Sequence, residues 1–261
     1  MTTLLLIQAR RLADPMAHHE LEVFAQACGV AEDRFRTFNI VTDPLHDFDL
    51  RGVAAVLFGG SGDFSLVQGG FEWHGDFLEL IRRVLASRIP TFGSCFGFQG
   101  ILQALGGKLA TDPERSEVGT FEIRLTEAVT EEDRLFGALP ATFDAQLGHN
   151  DSVIALPAGV THLASSDRCF YQAIRVDGLP VVATQFHPEL TREGSLARFL
   201  NYLQGYKQPG QDLEEAIAYA ESMHRPSPHA SSLLQAFTER LPRPSGHHLT
   251  LISSPSEEDA S

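Results

Sequence analysis

Two short segments of the chain carry residue types that can do covalent chemistry. One reads Pro90-Thr91-Phe92-Gly93-Ser94-Cys95-Phe96-Gly97-Phe98-Gln99-Gly100 and sets Cys95 in the middle of Gly-x-Cys-x-Gly. An apolar strand that breaks at this spacing and becomes a helix presents its middle residue on a tight turn, the layout of a nucleophile elbow with Cys in place of Ser. A thiol at a helix N-terminus meets unpaired N–H groups and the positive end of the helix dipole, both of which favour the thiolate. The Phe96 N–H is then placed to donate to an oxyanion. Glycines also flank buried cysteines in tight turns, so the pattern alone has a structural reading too.

The second segment, Gln185-Phe186-His187-Pro188-Glu189, follows another apolar run and separates a His from a carboxylate by one Pro, whose restricted φ stiffens the turn. His187 could take the Cys95 proton and pass it to a leaving amine, with Glu189 fixing its tautomer. The alternative is a His that ends a strand beside a solvated Glu. The order Cys, His, Glu differs from the nucleophile, acid, His order of α/β-hydrolases. A third stretch, Gly59-Gly60-Ser61-Gly62-Asp63, could bring backbone N–H groups close to a reacting carbonyl, cradle a phosphate, or simply turn. Gly107-Lys108 is no Walker P-loop, since Leu102 and Leu109 stand where Gly and Ser or Thr belong.

The elements that must hold these residues are readable from periodicity. Apolar runs at 4–7, 53–58, 89–92 and 181–186 resemble strands buried on both faces. Helical patterns lie between them: one capped by Asp14 and ended by Gly29, with Cys28 on its core face, one through 77–85, and one directly after Cys95. The fold class expected is α/β: a doubly wound, mostly parallel sheet flanked by helices. Alternating runs at 120–125 and 141–147 add an antiparallel β layer. After Tyr206 six prolines interrupt two short helical patterns, at 212–223 and 231–241, ahead of an acidic, Ser-rich end. Residues 1–206 therefore read as the main domain and 207–261 as a helical, partly disordered extension.

Composition narrows the partners. A net charge of -14 argues against a surface for nucleic acid or anionic membrane, which clustered Lys and Arg would bind. No run reaches the roughly 18 apolar residues of a membrane helix, and residues 4–7 make too short a core for a signal peptide, so a cytoplasmic protein is expected. Cys28, Cys95 and Cys169 are too few and too scattered for a disulfide framework or a structural zinc site.

Taken together, Gly59-Gly60, the segment from Gly93 to Gln99, and Phe186-His187-Pro188-Glu189 resemble the three signatures of the class I glutamine amidotransferases, over roughly residues 1–204. The nearest subgroup is the amidotransferase domain of the GMP-synthase type, with its stand-alone γ-glutamyl peptidase relatives. The resemblance implies a γ-glutamyl thioester on Cys95, with His187 as base and then acid and Glu189 completing the triad. It implies an oxyanion hole from the N–H groups of Gly60 and Phe96, and glutamine binding by Gln99 and by the segment with Glu117 and Gly119. His149, in Gly148-His149-Asn150-Asp151, corresponds to a His-x-Asp segment at the mouth of the site and is expected to be structural or partner-facing. Ser61 departs from the Pro often found after Gly-Gly, and residues 205–261 have no counterpart. No metal or organic cofactor is implied, and ammonia would pass to a separate synthase subunit. A γ-glutamyl peptidase acting alone, or a catalytically idle regulatory subunit, would carry the same fold.

Overall fold

The computed structural model describes residues 3–203 and 212–241. The first strand shows why the sheet is covered twice. In β1 (Thr3–Gln8), Leu4 and Leu6 join one apolar cluster while Leu5 and Ile7 join another, as a two-residue period requires. Leu4 and Leu6 meet Phe24 and Cys28 of α1 (Met16–Cys28). Leu5 and Ile7 share a core with Phe77 and Ile81 of α2 (His74–Ser87) and Phe98 and Ile101 of α3 (Phe96–Ala104). Asp14 accepts the Met16 N–H at 2.9 Å, and Gly29 ends α1 at φ +67°, where a glycine is at ease.

The large sheet runs β2-β1-β3-β4-β11-β10-β9-β6-β7. Its first five strands are parallel: β2 (Phe35–Asn39), β1, β3 (Val53–Phe58), β4 (Thr91–Ser94) and β11 (Val181–Thr184). The antiparallel strands that follow extend this same sheet. They are β10 (Ala173–Val176), β9 (Val160–Ser165), β6 (Glu117–Leu125) and β7 (Thr142–His149). A separate ribbon pairs β5 (Lys108–Thr111) with β8 (Asp151–Ala155). The run expected to stay in the sheet to residue 186 leaves it after Thr184. There the Gln185 N–H turns to Gln172 O and the His187 N–H to Gln146 O.

The chain continues through α4 (Arg192–Asn201) to α5 (Leu213–Met223) and α6 (Pro228–Glu239). α6 does not stand off as a solvated appendage. Its Leu234 and Phe237 pack with β1 and α1, and Ala230 and Leu233 pack with β6, β7 and Phe186. Pro226 falls between the two helices and Pro228 in the first turn of α6, where a missing N–H breaks no helical bond. The acidic, Ser-rich end lies outside the described residues.

Candidate active site

The three signature segments follow β3, β4 and β11, adjacent parallel strands whose C-terminal ends form the edge where open α/β sheets place their sites. At the end of β4 the chain turns at Cys95 with φ +50° and ψ -99°, a conformation unusual for a residue with a Cβ. Cys95 N–H donates to Thr184 O at 2.8 Å, and Gly97 N–H to Gly59 O at 3.1 Å, so the elbow is clamped to both neighbouring strands' ends. A Cβ on Gly97 would lie 2.4 Å from Phe58 Cβ, and one on Gly93 2.7 Å from Ile101 Cδ1. The two glycines of the motif are thus required by close approach. Phe96 opens α3, and its N–H has no acceptor one turn earlier in the helix.

His187 and Glu189 are buried beside the elbow. His187 Nδ1 and Glu189 Oε1 are 2.7 Å apart, which leaves Nε2 to serve Cys95, the ring's other partner. Ser94 Oγ donates to Glu189 Oε2 at 2.8 Å. Burial alone would lower the pKa of His187, but the Glu189 carboxylate and Cys95 outweigh it and push the ring up to about 9. Burial would raise Glu189, yet His187 and, more weakly, Arg198 hold it down at about 2. Cys28 and Cys169 are pushed up to about 11 by burial, where little thiolate forms at neutral pH.

Cys95 opens into a cleft of about 510 Å³, lined also by Phe96, Gln99, His149, Asn150 and Asp151. Gln99 Nε2 donates to Asp151 O at 2.9 Å and to Gln185 Oε1 at 3.1 Å, while Gln185 Nε2 reaches Cys95 Sγ at 3.5 Å. The cleft thus has Gln99 and Phe96 among its lining residues. It does not receive Glu117 or Gly119. Glu117 is wholly buried behind it, accepting from Ser166 at 2.6 Å and Gln172 at 2.5 Å and lying 3.0 Å from His149 Nε2. Gly119, at φ +117°, lies against the end of α5, where a Cβ would be 2.8 Å from Met223 O. Gly60 is beside the triad, but its N–H donates to Glu20 Oε1 at 3.0 Å and is not free for an oxyanion. The loop is pressed so close that a Cβ on Gly59 would lie 2.5 Å from Glu20 Oε1, and one on Gly60 3.0 Å from His187 Cε1.

Among the described residues, one buried group, Glu117, His149 and Cys169, has donor atoms close enough to hold a metal. Glu117 already has three hydrogen-bonding neighbours, and the Cys169 thiol is kept protonated by burial. The group fits a hydrogen-bonded floor under His149, which faces the cleft with Nδ1 3.0 Å from Asp151 O. Ser94 and Gln185 stand inside the sequence motifs without having been assigned a role there. Glu20 on α1 and Arg198 on α4 carried no local signal, because each reaches the site from another element.

A thiol on a strained elbow at the N-terminus of α3 and an imidazole held by a buried carboxylate have the layout of a thiol-dependent acyl-transfer centre. The chain belongs to the class-I glutamine amidotransferases, whose family model matches residues 41–201. Among curated relatives, GMP synthase [glutamine-hydrolyzing] of Vibrio atlanticus is 40% identical over 108 residues, covering 41% of this chain and 20% of that protein. The enzyme of the same description from Aliivibrio salmonicida is 34% identical over 142 residues, 52% of this chain and 26% of the relative. The chain thus spans about a quarter or less of the length of these relatives. The fold is that of a glutamine amidotransferase from Thermotoga maritima, with TM-score 0.69 and 18% identity over 92% of this chain and 97% of the other. A glutamine amido transferase from Methylobacillus flagellatus gives 0.65 and 19% over 95% and 98%.

Proposed function

We propose that the chain hydrolyses the γ-carboxamide of L-glutamine through a γ-glutamyl thioester on Cys95 and supplies the ammonia to a separate synthase. The observation that carries this reading is the placement of His187, with Glu189 on Nδ1 and Cys95 as its other partner. In the first half-reaction the Cys95 thiolate adds to the carboxamide carbon, and the tetrahedral oxyanion is met by the Phe96 N–H. The Gly60 N–H joins it once it leaves Glu20. The C–N bond breaks as the His187 imidazolium gives its proton to the departing nitrogen, releasing ammonia. In the second half, neutral His187 takes a proton from water, hydroxide adds to the thioester, and the C–S bond breaks to give glutamate and the thiolate. Gln99 lies in the cleft wall where the substrate's amino-acid end would rest.

The synthase partner is supported by the relatives' description as glutamine-hydrolysing GMP synthases, of which this chain matches only a part. A γ-glutamyl peptidase is the second reading. It is favoured by a cleft whose 510 Å³ leaves room beside a single glutamine for a larger leaving group. The deciding experiment measures ammonia and glutamate released from L-glutamine, next to a panel of γ-glutamyl dipeptides and a Cys95→Ala control. Cys95-dependent glutamine turnover is expected. Turnover confined to dipeptides would replace the first reading with the second, and activity that survives Cys95→Ala would overturn both.

A further inference from the structure

α4 brings Arg198 to the back of the triad. Its Nη1 lies 3.4 Å from Glu189 Oε1 and 3.3 Å from His187 Nδ1, and its Nη2 lies 3.8 Å from Glu20 Oε1. With Nδ1 donating to Glu189, both Nδ1 and Nη1 carry hydrogens, so the two cations are held side by side with Glu189 Oε1 as their shared acceptor. Glu20 and Glu189 are both fully buried. Glu20 has its own close cation in Arg10 at 2.7 Å, as Glu189 has in His187. Among the described residues, Arg198 is the cation within ion-pair distance of both carboxylates.

From this arrangement we infer that Arg198 is a positioning residue of the triad, holding Glu189 against His187 while limiting how strongly that carboxylate can stabilise the imidazolium. The inference rests on the Cys95, His187, Glu189 reading given above. A base in a thioester cycle must take a proton and then release it to the leaving nitrogen. An imidazolium clamped by an unopposed buried carboxylate releases it reluctantly. The Arg198 charge acts against that clamp directly, across 3.3 Å, and indirectly, by drawing on Glu189. Glu20 tempers Arg198 in turn. Its carboxylate also receives Arg10, Gln8 and the Gly60 N–H, so the same charge chain reaches the loop after β3. Among the described residues, the other charged or titratable groups facing this chain include Cys95 at the elbow, Cys28 and His19 on α1, Asp14 before it, Tyr202 just past α4, and His224 after α5.

The test compares Arg198→Met, Arg198→Lys and Glu20→Gln in the full chain. Two readouts are used: the ¹⁵N-histidine NMR titration of His187, assigned with His187→Gln, and kcat and KM across pH with the substrate that the wild type turns over. Arg198→Met is expected to raise the His187 midpoint by about half a pH unit or more. It should also cut kcat roughly tenfold, with KM changed by less than about twofold. Arg198→Lys should return the midpoint to the wild-type value. Glu20→Gln should move it the other way, downward, since Arg198 then acts on the triad unshared. Opposite shifts cannot come from general loosening of the fold. Shifts of one sign in Arg198→Met and Glu20→Gln, or a midpoint unmoved in both, overturn the inference. If Arg198→Met does not fold, the downward shift of Glu20→Gln against an unmoved Arg198→Lys decides in the same way. Because the titration needs no substrate, a wild type silent on every γ-glutamyl compound would sink the proposed function and leave this inference to its own result.

Discussion

At the elbow, the chain accepts an uncommon backbone conformation at Cys95 and surrounds it with contacts that leave no slack. Gly97→Ala places a Cβ 2.8 Å from Phe58 O as well as against Phe58 Cβ, so backbone must move, and a loss of about 3 kcal/mol or more is expected in urea unfolding. Ser94→Ala removes a charge-assisted hydrogen bond that steadies Glu189 while leaving Cys95, the proposed nucleophile, in place. Steady-state kinetics should show kcat reduced by roughly tenfold with little change in KM. The His187–Glu189 pair also ties stability to pH. The folded His187 pKa, about 9, lies above its ordinary 6.5. Its contribution is therefore full below about pH 6.5 and is lost as pH rises through about 9. Glu189 is shifted the other way, so its contribution is present above about pH 4.5 and lost as pH falls towards about 2. Urea unfolding at pH 7 and pH 10 should show the wild type losing more stability than His187→Gln over that interval. Cys95, His187 and Glu189, the residues of the proposed triad, were legible because each sits in a short motif at a strand end. Glu20 and Arg198 were not, because a buried ion pair made across 178 residues leaves no spacing to read. Resemblance placed the segment with Glu117 and Gly119 near the site, but only packing decides that neither residue lines the cleft beside Cys95.

Between elements, β1, β3, β4 and β11 were readable because doubly buried strands read as apolar runs, and α1 to α3 from their apolar spacing between those runs. β2, Phe35-Arg36-Thr37-Phe38-Asn39, was not, because this edge strand is only partly buried and carries no apolar run. The alternating runs announced antiparallel strands without saying where they attach. Pairing register is a property of two segments, and the large sheet turned out to take them in as its own edge. For α6 a helical pattern was legible at 231–241 but its place in the core was not: prolines flank it, yet Ala230, Leu233, Leu234 and Phe237 fall at i, i+3, i+4 and i+7, the stripe of a core-facing helix. Leu233→Ala should cost about 2–5 kcal/mol. Removing residues 207–261 should uncover the apolar face shared with β1, α1 and β7. Gel filtration of the truncated chain is then expected to show aggregate in place of a monodisperse species, and a well-behaved truncation would contradict the core role of α6.

Over the whole molecule, the -14 charge leaves the surface poorly suited to polyanions, and no helix of the described residues is long and apolar enough to cross a membrane. The polar segment that turns from α5 into α6 crosses behind the catalytic wall. Arg225 O accepts from Thr120 Oγ1 at 3.1 Å and from Gln146 Nε2 at 2.6 Å, and Gln146 O is the acceptor that holds the His187 main chain. The end of the described chain thus supports the site that its middle builds. The shared cluster of Leu4 and Leu6 with Leu234 and Phe237 also has a meaning during synthesis. That face of β1 is covered early by Phe24 and Cys28 of α1, but the rest of its cover, Leu234 and Phe237, arrives only after some 230 further residues have been made, about 10–50 s later at about 5–20 residues per second. For that interval this face of the nascent sheet is covered only in part. Chaperone dependence of this protein in the cell should therefore be set by how long the ribosome takes to deliver α6, more than by anything around Cys95.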